Sequence, residues 1–226
     1  MWQCRDTIIK KFKWRCDWGT FPLAVYLMDR YISEIEGKIQ SRNHFHAIAI
    51  ASLIMASDIK DPDIISISVE KYDNNVDPSA VEIIMGEMKA NDFILATFVT
   101  PYDLMMEFLE KMGFRDDECV NRIAKLLLGI TISNAHLIAN LPSTIAGACI
   151  YGALIKCYYN DLIDLTIQSL ISLITPTNEG SLKSLIENIY TLINELVLKP
   201  DHKYVDEKKR YWYTHDTTFI RRFRGK

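Results

Sequence analysis

Apolar residues in this 226-residue chain recur at intervals of three and four almost from end to end. Ile8, Ile9 and Phe12 begin the pattern, and Leu23, Leu27 and Tyr31 continue it. That spacing stacks side chains on one face of an α-helix and scatters them over both faces of a strand. Alternation of period two is nearly absent. The one β-like run, FILATFV at 93–99, is seven residues long with no evident partner, so it reads as an extended linker. The chain is therefore expected to be all-α.

Helices are predicted at 43–57, 62–71, 79–91, 101–112, 117–132, 142–159, 162–173 and 180–196, beyond those carrying the first stripes. Thr20, Ser41, Asp77 and Thr100 stand where N-caps belong, and Pro78 and Pro101 fit a first helical turn. The helices fall into two sets of about five, one ending near Asn91 and the other starting at Pro101. We therefore expect two tandem five-helix bundles joined by a short linker, with domains at 1–95 and 96–200 and a tail at 201–226. A hydrophobic content of 49% against 24% charged residues is enough to bury a core in each.

The net charge of −3 excludes an overall polyanion binder, but it hides an asymmetry. Residues 207–226 hold seven Lys/Arg against two acids, a net of +5, which leaves −8 for residues 1–206. The five cysteines, Cys4, Cys16, Cys119, Cys149 and Cys157, form no CxxC pair and follow no signal peptide. Reduced thiols in the cytoplasm or nucleus are the expected state. Between 135 and 155 no Asp, Glu, Lys or Arg occurs, over about the length a bilayer requires. Asn140, Pro142, Ser143 and Thr144 break that run, so a buried core helix starting at Pro142 is expected rather than a membrane span.

Four stretches are more specific. LAVYLMDRYIS at 23–33 resembles the second helix of a cyclin box, and LIMAS at 53–57 resembles the end of its third helix. FIL at 93–95 with TPY at 100–102 is similar to the segment that closes the first box. LPSTIAGA at 141–148 is similar to a helix opening in the second box of A- and B-type cyclins. The chain as a whole, over roughly residues 4–200, thus resembles a two-box cyclin. Almost no sequence precedes the first helix and no RxxL destruction-box pattern occurs, which fits a minimal or viral-type double box.

The resemblance implies a binding protein without cofactor or catalytic residue. It implies a regulatory subunit that binds and activates a cyclin-dependent protein kinase and so regulates the cell cycle. The kinase helix would dock between the third and fifth helices of the first box, on His44, Ile84, Met88, Phe93 and Leu95. His44 falls where the family carries a lysine, and Ile84 where it carries the glutamate paired to it. Both charges are missing. That keeps open an alternative: a cyclin-fold adaptor for transcription or host factors that activates no kinase. Asp29 matches a family aspartate that pairs with an arginine of the first helix, here Arg5. Ile8, Ile9 and Phe12 retain the apolar stripe on which some cyclins dock RxL-type substrates, and read equally as core packing.

Other chemistry finds little support. His44 and His46 are two apart and point about 200° from each other on a helix, whereas paired helical metal ligands sit at i, i+3 or i, i+4. No metal site is expected. The tail interleaves cations with aromatics, as in KKRYWY at 208–213. It reads as a segment packed on the second domain, an import signal or a nucleic-acid contact, and tight nucleic-acid binding is not expected.

Overall fold

A computed structural model describes residues 18–35, 38–39, 41–60, 76–91, 99–132, 134, 136–157, 180, 184–188 and 191. Among these residues the regular structure is entirely helical. Six helices have both ends among the described residues: α1 (Thr20–Glu34), α2 (Arg42–Lys60), α3 (Pro78–Ala90), α4 (Pro101–Lys111), α5 (Glu118–Ile132) and α6 (Pro142–Cys157); residues 184–188 are helical as well. The chain divides into two compact units, Met1–Thr100 and Pro101–Lys226. The helices expected at 62–71 and 162–173, most of the 93–99 linker and the basic tail lie outside the described residues.

In the first unit α1 packs on α2 and α2 on α3. Helix α1 begins one residue earlier than a Thr20 cap would allow. Gly19 occupies the N-cap, and Thr20 is the first helical residue, fully buried beside Phe21. Helix α2 is capped as its sequence suggests: the Ser41 hydroxyl accepts the His44 backbone N–H at 3.1 Å. Positions 47–53 and 55–57 of α2 are all buried, so this helix has no polar face along its centre. Its one central hydroxyl, Ser52, donates to the Ile48 carbonyl at 2.8 Å and needs no outside partner.

In the second unit α6 packs against both α4 and α5, and α4 also touches α5. Helix α6 is buried continuously from Thr144 to Leu154. The apolar run at 135–155 is thus split by a turn at 136–140, and its helical part is a core helix. Among the described residues no helix is long and apolar enough to cross a membrane. Helix α4 ends in a Schellman motif. The Phe114 N–H reaches the Leu109 carbonyl at 2.8 Å, the Gly113 N–H reaches Glu110 at 3.0 Å, and Gly113 sits at φ +76°.

Two glycines give this description a paired test. Gly113 needs a left-handed backbone, so Gly113→Ala should destabilise the protein by about 1–2 kcal/mol. Gly86 lies inside α3 with open space where a Cβ would stand, so Gly86→Ala should stabilise by about 0.5–1 kcal/mol. Chemical denaturation of both variants should give shifts of opposite sign. Shifts of the same sign would contradict the assigned helix ends.

Candidate functional site

Helices α2 and α3 form the most defined surface of the first unit. The Asp77 side chain fixes where α3 starts, accepting the Ser79 backbone N–H at 2.9 Å and the Ser79 hydroxyl at 2.7 Å. Those two bonds hold its carboxyl below the usual carboxylate range, the side-chain bond contributing most. Pro78 then supplies a preset first turn. From this start α3 has two distinct faces. Val81, Ile84 and Met88 are buried, at the i, i+3, i+7 spacing of a core face. Ser79, Ile83, Gly86 and Ala90 are exposed and follow one another at i+4, i+3 and i+4 along the opposite side.

This geometry corrects the expected partner-facing residues. Ile84 is only 3% exposed and Met88 fully buried, so both build the core under α3 and cannot cover a partner. The outward apolar residue is Ile83, 61% exposed, one position earlier. A one-residue step turns a helical side chain by about 100°, which is enough to exchange inside for outside. His44 does stand at the start of α2, half-buried in its first turn, with Arg42 and Asn43 exposed beside it. His46 is half-buried as well.

Glu87 locks the rotation of α3. Its carboxylate accepts a hydrogen bond from the hydroxyl of Tyr31, a buried residue of α1 and 56 positions away in sequence. Burial first, then the Glu87 hydrogen bond and charge, raise the Tyr31 phenol above its ordinary value. Nothing in the local sequence signals this pairing. Asp29, two residues before Tyr31, is half-buried on α1. Its expected partner Arg5, the stripe Ile8, Ile9 and Phe12, and Phe93 and Leu95 all lie outside the described residues.

The second unit carries a separate open cleft of about 710 Å³ beside the turn before α6, lined by Asn134, His136, Asn140, Ser184 and Asn188 among others. Asn134 Oδ1 is occupied by the His136 and Leu137 backbone N–H groups, at 2.9 and 3.3 Å. Its remaining amides, hydroxyl and imidazole suit neutral polar groups. Among the described residues no three His, Cys, Asp or Glu side chains gather where they could hold a metal ion.

Residues 8–92 match the family model of the cyclin N-terminal domain. This part of the chain is a cyclin N-terminal domain. The match spans α1, α2 and α3. It stops short of the second unit. No curated protein matches the chain.

The Tyr31–Glu87 bond gives the cyclin box a distinctive alkaline response. A phenol whose folded value is raised contributes stability that is fully present below its unfolded value, near 10, and is lost as pH rises toward the folded value. Stability should therefore fall as pH is raised above about 10. Tyr31→Phe should remove that part of the fall and cost about 1 kcal/mol at neutral pH. Denaturation series of both proteins, from neutral to alkaline pH, check the sign. Parallel curves would mean that the phenol is not held this way.

Proposed function

We propose that this protein is a regulatory subunit that binds a cyclin-dependent protein kinase and favours its active conformation, and thereby regulates the cell cycle. The observation that supports the reading best is a cyclin N-terminal domain in which an α2 with a largely buried centre stands beside an α3 with an exposed stripe. Kinase activation requires the αC glutamate to meet the β3 lysine and the activation loop to order. A partner that binds the ordered arrangement more tightly shifts the population toward it by that difference in affinity. No chemistry is asked of the regulatory subunit itself, which acts as a binding protein and not as an enzyme.

The docking surface in this reading is the outward stripe of α3 together with the first turn of α2. Gly86 lets a partner helix approach closely, and Ile83 supplies the apolar anchor. Full burial of such a side chain contributes roughly 1.5–3 kcal/mol. An imidazole at His44 stands where the family has an ammonium, and the family's paired glutamate is absent. The interface is accordingly apolar rather than ionic. Ile84 and Met88 hold the stripe in place from beneath.

The second unit serves as the second cyclin box, with α6 as its central helix, and the protein works in the nucleus or cytoplasm. The pairing of Asp29 with Arg5 fastens the first helix of the box. Docking of RxL-type substrates on Ile8, Ile9 and Phe12 is a weaker extension of the same reading.

Calorimetry against a panel of cyclin-dependent kinases, at low and high salt, tests the proposal together with a kinase assay on each pair. Ile83→Asp should weaken binding at least about tenfold without lowering the melting temperature, and salt should alter affinity little. Added protein should raise the activity of the kinase that binds. Binding without activation would favour the adaptor reading, and binding insensitive to Ile83→Asp would move the interface off this stripe.

A further inference from the structure

Two cysteines of the second unit are far apart in sequence and adjacent in space. Cys119 lies in the first turn of α5 and Cys157 closes α6. They are 38 positions apart, yet the Cys157 thiol donates to the Cys119 sulfur at 2.8 Å. Helices α5 and α6 pack directly on each other, so the approach follows from the core of the unit. Neither sulfur is in a disulfide, and both residues are half-buried rather than enclosed, within reach of a small oxidant. A disulfide needs its sulfurs about 2.05 Å apart, so closure requires less than about 1 Å of movement at two helix ends.

We propose that Cys119 and Cys157 form a redox modification site, converted by a hydroperoxide into a reversible intramolecular disulfide that ties α5 to α6. The balance is simple. One thiol attacks the peroxide O–O bond and becomes a sulfenic acid, releasing water from hydrogen peroxide or the alcohol from an organic hydroperoxide. The second thiol attacks that sulfur, the S–S bond forms, and water leaves. Two electrons and two protons pass from the thiol pair to the peroxide, and a dithiol reductant returns them. The neighbouring sulfur intercepts the sulfenic acid before it oxidises further. Cys149, on the same α6, supplies a built-in contrast. It is fully buried, and burial pushes its thiol up to about 12, against an opposing hydrogen bond with Thr131. It should stay reduced.

The experiment treats the full-length protein with an equivalent of hydrogen peroxide, counts thiols after denaturation and maps cross-linked peptides without reduction. We expect the count to fall from five to three, with Cys119 joined to Cys157 as the first product. Cys149→Ser should retain that cross-link and Cys119→Ser should lose it. Closing a loop of this length should also raise the melting temperature, on the order of 5–10 °C, and dithiothreitol should reverse the rise. Five thiols remaining, a first cross-link involving Cys4, Cys16 or Cys149, or separate sulfinic acids at Cys119 and Cys157 would each overturn the proposal.

Discussion

The burial of α2 along nearly all of its centre is the constraint from which the rest of the first unit follows. Ile48, Ile50, Leu53 and Met55 are all enclosed, and each such side chain contributes roughly 1.5–3 kcal/mol when taken from water. A helix of this kind cannot lie on a surface. It must be wrapped by its neighbours, and α1 and α3 are the described helices that do so. The same burial limits what α2 can show a partner. Its exposed residues are at its ends, Arg42 and Asn43 at one and Asp58 and Ile59 at the other, with Ile54 half-buried between them.

The surface that remains for recognition in this pair of helices is therefore the outer side of α3. Its two faces have separate tasks. Val81, Ile84 and Met88 secure the helix on the core, while Ser79, Ile83, Gly86 and Ala90 stay outside. The hydrogen bond from Tyr31 to Glu87 connects α3 to α1 and resists rotation of the outer stripe. A stripe held in this way loses little conformational freedom when a partner covers it. Rigidity also suits a subunit whose proposed role is to select one conformation of another protein.

Much of this was legible in the sequence. The Ser41 and Asp77 caps, the Pro78, Pro101 and Pro142 starts and the break before α6 all depend on neighbours within a few residues, and each stands where local rules put it. The motif at 23–33 lies within the cyclin N-terminal domain matched over 8–92. Failures came where local rules have no reach. Thr20 offered a hydroxyl for a cap, but burial against the core drew it inside and left the cap to Gly19. Counting back from Phe93 puts a partner-facing residue at Ile84, whereas α3 buries Ile84 and exposes Ile83, one position away. The contacts of Tyr31 with Glu87 and of Cys119 with Cys157 join residues 56 and 38 positions apart, and only packed helices reveal them.

The central claim is that the outer stripe of α3, beside the first turn of α2, is where a kinase binds. Amide hydrogen exchange of the full-length protein, alone and with a cyclin-dependent kinase that it retains, measures this directly. The account predicts slower exchange in α3 and at the start of α2 on complex formation, with the centre of α2 already protected in the free protein. Unchanged exchange across α3, with new protection confined to the second unit, would contradict it.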